Sequence, residues 1–343
     1  GNLNENQNTA KMTYLIIRLA TIGNVAMTVP VIASLSRRYP NDRFIIASKK
    51  NLRAMFDSFE NVEFAEVDNH LDWKGVWDFW REWRNKVDAV IDLQSVLRTR
   101  VFGTLMKLSG KRVTRVHYGR IRKHLITVWG IGTKHPLPSE FERYEDTFRR
   151  AGLQTDEEFT SLPVNKTAAK KVQQLVGKKE KDERWIGLAP FAKSRSNMLP
   201  YRVTKDIIEN LSKDEHTRIF LFGAGVIETE MLRQWASVFP RTESVAGRLQ
   251  LEQELELMRH LDVMICMDSA NQHLSSLVGL RAISVWCATH PIIGFMGWKQ
   301  HREDIIQRHD LRCRPCTSHG TNHCRYGNYA CRQIEAETII KQI

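Results

Sequence analysis

The sequence predicts an α/β protein built from two doubly wound, parallel-sheet domains. Three observations predict it. Short β-branched runs alternate with longer amphipathic stretches along the chain, the pattern of right-handed βαβ units. The alternation stops once, over Lys166–Arg184, a Lys- and Gln-rich stretch that reads as a helix and hinge, and a fresh series begins at Trp185. The chain has 343 residues, enough for two domains of about 150 residues each. The expected domains are therefore residues 12–165 and 166–343. Residues 1–11 are polar and aperiodic and are set aside as an expression remnant or a frayed arm.

The first series places strands at Tyr14–Leu19, Arg43–Ser48, Val62–Val67, Ala89–Leu93 and Val113–Tyr118. The second places them at Trp185–Ala189, Arg218–Phe222, Val263–Met267 and Ala282–Trp286. Helical periodicity fills the intervals, for instance over Val25–Tyr39 and Leu251–His260. A ligand of such a protein is expected in the cleft between the domains, at the carboxyl ends of both sheets. Trp73, Trp77, Trp80 and Trp83 recur at spacings of four, three and three and so share one helix face. That face either packs on the core or docks at a membrane surface, helped by Lys74, Arg81 and Arg84.

Composition narrows the class. Apolar types make up 42% of the chain and charged types 26%, a globular balance that excludes disordered, collagenous and coiled-coil proteins. No window approaches the ~18 unbroken apolar residues of a membrane span. Tyr14-Leu-Ile-Ile is too short for a signal-peptide core. A cytoplasmic protein is expected. The formal net charge is +12, and its placement is uneven. From Arg98 to Lys134 there are ten Lys or Arg residues and no Asp or Glu. A region of one sign suits phosphate-bearing partners, either nucleic acid or an anionic lipid or glycolipid. No nucleic-acid motif accompanies it.

Six cysteines are present. Cys266 and Cys287 lie in apolar, strand-like runs and read as buried thiols. Cys313, Cys316, Cys324 and Cys331 cluster near the end. They could hold a structural zinc ion, although the second pair is too widely spaced for a standard zinc ribbon. Free thiols packing a loop and disulfides are the other readings.

The chemistry-bearing residues sit at strand ends. The first strand runs into Arg18-Leu-Ala-Thr-Ile-Gly23-Asn24, and glycine at a strand-to-helix turn lets backbone approach a ligand closely. The helix that follows aims its free N–H groups into the cleft. In the second series, Lys193 follows a strand end on a polar loop and can neutralise a diphosphate. Gly223-Ala-Gly225 then precedes Glu228, an acid placed to accept hydrogen bonds from ribose hydroxyls. Finally Met267-Asp268-Ser269-Ala270-Asn271-Gln272-His273 clusters an acid, a hydroxyl and an imidazole at a helix N-terminus, where a diphosphate is favoured. Asp and Ser are also ordinary N-caps, but three such elements at successive strand ends of one sheet point to a nucleotide site.

These segments together resemble glycosyltransferase family 9, the ADP-heptose:lipopolysaccharide heptosyltransferases. The resemblance runs from Met12 to the C-terminus and is carried by RLATIGNVAMTVP, IDLQSVLRTR, APFAKSRSNMLP, VAGRLQLEQELELM, MDSANQHLSSLVG and ATHPIIGFMGW. The Cys-rich tail is similar to that of Bacteroidetes-type members. The resemblance implies a GT-B fold, two Rossmann-like domains facing across a cleft, and an inverting transferase that needs no metal for catalysis. It implies an N-terminal domain that binds an anionic lipid A–Kdo or inner-core acceptor and a C-terminal domain that binds an ADP-sugar. Lys193 would hold the donor phosphates and Glu228 the nucleoside. Asp268, with the backbone of Ser269 and Ala270, would position the sugar and diphosphate, with Gly23 and His273 beside them. Arg98, Arg100, Arg120 and Arg122 of the basic region would meet the phosphates and carboxylates of the acceptor, a better match than nucleic acid. The enzyme would work on lipopolysaccharide core at the cytoplasmic face of the inner membrane, as a peripheral protein.

The sequence departs from the family at the opening turn. The family has Gly-Asp there, and that Asp is its proposed catalytic base. This chain has Gly23-Asn24, and an amide takes up no proton in this pH range. Three readings follow: another base, Asp92 or Glu140, has taken over; the change was introduced to inactivate the protein; or the protein binds sugar nucleotide and glycolipid without transferring.

Overall fold

The computed structural model describes residues 11–68, 71–131 and 135–343. Their strands are, in order, β1 (Thr13–Ile17), β2 (Arg43–Ser48), β3 (Val62–Glu66), β4 (Ala89–Asp92), β5 (Arg112–Arg115), β6 (Arg184–Ala189), β7 (Thr217–Leu221), β8 (Thr242–Ser244), β9 (Val263–Met267), β10 (Ala282–Trp286) and β11 (Ile305–Gln307). The helices are α1 (Ile22–Ala26), α2 (Val29–Arg38), α3 (Trp73–Trp83), α4 (Leu97–Leu108), α5 (Arg120–Trp129), α6 (Glu140–Arg150), α7 (Lys166–Val176), α8 (Tyr201–Leu211), α9 (Val226–Val238), α10 (Leu251–His260), α11 (Ala270–Leu277) and α12 (Ala336–Ile340). The chain forms two compact units. The first holds the chain up to Ala20, Val31–His117 and Arg143–Phe159; the second holds Thr21–Pro30, Tyr118–Glu142 and Thr160–Ile343. Segments 21–30 and 118–142, on the N-terminal side of the boundary expected at 165/166, thus belong to the second unit.

The first unit carries a five-stranded parallel sheet in the order β3-β2-β1-β4-β5. Its central strands are buried along nearly their whole length, as parallel strands covered on both faces must be. The order in which strands are added reverses between β1 and β4, so that pair is the topological switch point. α3 and α4 cover one face. Val76 and Phe79 are buried, and the Phe79 ring lies 5.1 Å from that of Phe102. The tryptophan stripe divides there. Trp80 and Trp83 pack against this core, whereas Trp73 and Trp77 are about half exposed.

The second unit carries a six-stranded parallel sheet in the order β11-β10-β9-β6-β7-β8. Here the switch point lies between β6 and β9. Trp185 and Phe220, 4.8 Å apart, anchor one side, and the buried Trp286 indole donates to the Ser284 hydroxyl at 2.9 Å.

All nine expected strands are present. β8 and β11 are three-residue edge strands, too short to show a period. The single helix expected over Val25–Tyr39 is instead two, α1 and α2. The Thr28 hydroxyl bonds back to the Val25 carbonyl at 2.6 Å, and Pro30, which has no N–H, falls in the first turn of a new helix. Lys134 of the basic run and residues 1–10 lie outside the described residues.

Phe102 is fully buried between α3 and α4. Phe102→Ala is expected to lower the stability of the first unit by about 3–5 kcal/mol, read as a fall in its urea unfolding midpoint.

Candidate functional site

The site is built at the carboxyl ends of β9, β6 and β7, all in the second unit. β9 ends at Met267, so Asp268 is the first residue beyond the sheet and Ser269 precedes α11. Ser269 stands in the N-cap position, yet its hydroxyl makes no cap hydrogen bond. Its Oγ and the Nδ1 of His273, one turn on, are buried without a partner. Buried polar atoms are nearly always paired, and the exceptions mark places where something else binds. α1 packs directly on this turn. A Cβ added to Gly23 would lie 3.2 Å from His273 Cδ2 and 3.3 Å from the Ala270 Cα, so only glycine fits without displacing its neighbours. Asn24 follows at once. Its backbone N–H is capped by the Thr21 hydroxyl at 3.5 Å, a long bond.

The electrostatics follow from burial. Burial pushes the Asp268 carboxyl up to about 7, opposed by the Thr289 hydroxyl beside it. Burial pushes the His273 imidazole down to about 4, so it is neutral at physiological pH. The turn therefore carries less than a full negative charge near neutrality, and it presents the N-terminus of α11, whose amides and dipole favour an anion.

Lys193 and Glu228 stand at the neighbouring strand ends. Lys193 is exposed on the loop after β6, beside the switch point. Gly225 has φ +93°, and a side chain there would run into the Glu228 carboxylate, which folds back over the glycine turn in the first turn of α9. Phe191, Tyr201 and Trp235 form an aromatic cluster at the same end of the sheet, with ring centroids 6.1–6.4 Å apart.

The four candidate acceptor arginines fall into two groups. Arg98 and Arg100 are in the first unit: Arg98 donates to the Leu71 carbonyl at 3.0 Å and lies over the Trp73 ring, and Arg100 reaches the Ser95 hydroxyl at 3.5 Å. Arg120 and Arg122 are exposed on α5 in the second unit.

Neither alternative base stands ready. Asp92 is fully buried, and its Oδ1 accepts from the amides of Gln94 and Ser95 at 2.9 and 2.8 Å, closing its own turn. Burial holds its pKa above the ordinary aspartate value despite those bonds and that of Thr99. Glu140 is buried with its Oε1 3.6 Å from the buried Lys123 ammonium. Arg18 was not expected as a site residue. It is buried at the switch point of the first sheet, donating to the Tyr144 hydroxyl at 3.0 Å and to Gln94 Oε1 at 2.9 Å. An arginine directly after an apolar strand was the available signal.

All six cysteines are free thiols. Among the described residues no group of three or more His, Cys, Asp or Glu side chains is arranged to hold a metal. Cys313, Cys316, Cys324 and Cys331 lie within electrostatic reach of one another but in different surroundings. Cys331 is pulled into the core of the second unit. Cys324 lies in a loop where, against the effect of burial, the N–H groups of Tyr329, Tyr326, Gly327 and Asn328 hold its thiol below the ordinary value.

The Asp268 shift has a stability consequence. A carboxyl raised to about 7 in the fold stabilises it fully only below the unfolded value near 4, and the contribution is lost as pH rises through 7. Asp268→Asn is expected to gain stability over the parent between pH 4 and 8, by more than about 1 kcal/mol, with a plateau above pH 8, in denaturant titrations across that range.

The family model for glycosyltransferase family 9 (heptosyltransferase) matches residues 76–327. The chain is 19% identical over 288 residues to the lipopolysaccharide core heptosyltransferase OpsX of Haemophilus influenzae, covering 82% of this chain and 81% of that protein. Its fold matches the family 9 glycosyltransferase of Veillonella parvula at a TM-score of 0.73 and 16% identity, over 96% of each chain. It matches the E. coli heptosyltransferase WaaC, solved with ADP, at 0.65 and 16%, over 96% of this chain and 98% of that one. The two parallel-sheet units are those of the GT-B fold, and the chain belongs to glycosyltransferase family 9, the heptosyltransferases.

Proposed function

We propose that the protein is an inverting, metal-independent heptosyltransferase of lipopolysaccharide core assembly. It moves a heptose or related sugar from an ADP-sugar to a Kdo–lipid A or inner-core acceptor, as a peripheral protein on the cytoplasmic face of the inner membrane. Family membership and the likeness to the heptosyltransferases OpsX and WaaC support this reading. One observation in the chain itself carries it: the Ser269 hydroxyl and His273 Nδ1, buried without partners where α11 begins. A donor diphosphate would supply the missing acceptors and use the helix N-terminus.

Inversion needs one in-line displacement at the anomeric carbon. The acceptor hydroxyl attacks as the bond to the diphosphate oxygen breaks. The leaving group gathers negative charge, which Lys193 and the α11 amides would stabilise. Asp268, partly protonated near neutral pH, can donate a hydrogen bond to the donor rather than repel it. Glu228 would take the ribose hydroxyls. The acceptor proton must leave as the bond forms, to solvent water where no carboxylate stands at position 24, and a base placed to take it is worth about 10²–10⁴-fold.

A second reading, a donor-binding homologue that does not transfer, is favoured by Asn24 together with the engagement of both alternative carboxylates. Asp92 closes its own turn and Glu140 pairs with Lys123. A transfer assay with ADP-heptose and Kdo–lipid A, run beside Asn24→Asp and read by ADP release and glycolipid mass, separates the two. Heptosyl transfer by the parent supports the first reading. Transfer by Asn24→Asp alone, at least about 100-fold above the parent, assigns the missing base to position 24 and supports the second.

Donor binding tests the site itself. Lys193→Ala and Asp268→Ala are each expected to weaken ADP-sugar binding about tenfold or more in calorimetry while leaving the circular dichroism unchanged. Unaltered affinity in both would remove the assignment.

A further inference from the structure

α5 buries Ile126 and Lys123 on the side turned to the protein, yet it carries a second apolar stripe on the side turned to solvent. The side turned to the protein holds Lys123, buried with its ammonium 3.6 Å from Glu140 Oε1, 5.5 Å from the Tyr118 ring and 4.9 Å from the Phe295 ring. The side turned outward holds Ile121, Leu125, Val128 and Trp129, at the i, i+4, i+7 and i+8 positions of one stripe. Ile121 is 80% exposed, Trp129 70% and Val128 39%. The stripe continues past the helix. Gly130 ends it in the left-handed region, Ile131 N–H bonds back to the Leu125 carbonyl, and Ile131 is 58% exposed. A charged residue has been buried at the cost of desolvation while four large apolar side chains are left in solvent. Exposed apolar stripes of this kind mark contact surfaces.

The charges around the stripe say what covers it. Arg120 and Arg122 flank it from the same helix. Arg325 reaches in from the tail and donates to the Val128 carbonyl at 3.2 Å. No Asp or Glu occurs in the sequence between Asp92 and Glu140. An apolar stripe with a terminal Trp and a basic rim fits the boundary between headgroups and acyl chains of an anionic bilayer: the ring and aliphatic groups enter the boundary while the guanidinium groups meet lipid phosphates. A partner protein would be expected to bring some complementary charge on the helix itself, and the stripe offers only one sign.

We propose that the outward face of α5, Ile121, Val128, Trp129 and Ile131 with its rim of Arg120, Arg122 and Arg325, docks the protein on an anionic phospholipid bilayer. The choice of partner rests on the glycolipid reading above; the face itself does not. The test is cosedimentation of the full chain with phosphatidylcholine vesicles, with and without 30 mol% phosphatidylglycerol, for the parent and for Ile121→Glu/Trp129→Glu. Both substitutions lie at exposed positions, and ADP binding by calorimetry reports whether the donor site survives. The expected result is binding to the anionic vesicles that falls at least tenfold in the double variant and falls again with salt, with ADP binding kept. Equal vesicle binding by parent and variant overturns the proposal, as does a parent that ignores anionic vesicles. A parent that dimerises and a variant that is monomeric, with no vesicle binding by either, overturns it in favour of self-association. Vesicle binding without any sugar transfer leaves the docking face standing and removes the enzymatic reading instead.

Discussion

The close approach of α1 to α11 is the constraint on which the site depends. Gly23 lies so near Ala270 and His273 that a methyl group would press on both. A short helix from the N-terminal part of the chain is thereby built into the second unit, next to the turn that begins with Asp268. The position where the family carries a carboxylate is thus fixed by backbone packing, not by its own side chain. Asn24 can occupy it without disturbing the turn because the helix is held by Gly23, Val25 and the Thr21 cap. A change of the side chain at position 24 is therefore expected to leave the packing of α1 on α11 intact.

Burial sets the charge state of that site. Asp268 and His273 are both pushed towards their neutral forms, one from below and one from above. Neutral His273 and partly protonated Asp268 can each donate or accept a hydrogen bond. Lys193 is exposed. The arrangement separates what needs desolvation from what needs solvation. The same logic appears inverted at Lys123, where burial is tolerated because Glu140 and two aromatic rings surround the ammonium.

Much of this was legible in the sequence, and the reason is physical. A parallel strand buried on both faces must be a nearly unbroken apolar run, so central strands such as β1, β6, β9 and β10 announce themselves, and residues placed just after such runs, Asp268 and Lys193 among them, fall at the carboxyl edge by geometry alone. What sequence could not show depended on contacts between distant segments. Nothing local to residues 118–142 says that they join the second unit. The tryptophan spacing says that four rings share a side of α3, but not that Trp80 and Trp83 meet the core while Trp73 and Trp77 do not. Asp92 looks like a free acid at a strand end until its turn is seen to consume one of its oxygens.

The basic run shows how a compositional signal can be divided by structure. Read along the chain, Arg98 to Arg122 is one positive segment. In the fold it is two surfaces on two units, one in which Arg98 and Arg100 are engaged by local groups and one in which Arg120 and Arg122 edge an apolar stripe. The charge on the first unit stands near Arg18 and Gln94, at a switch point of polar, hydrogen-bonded side chains suited to a hydrophilic sugar or carboxylate. The charge on the second stands beside Ile121 and Trp129, where an apolar phase is the natural complement.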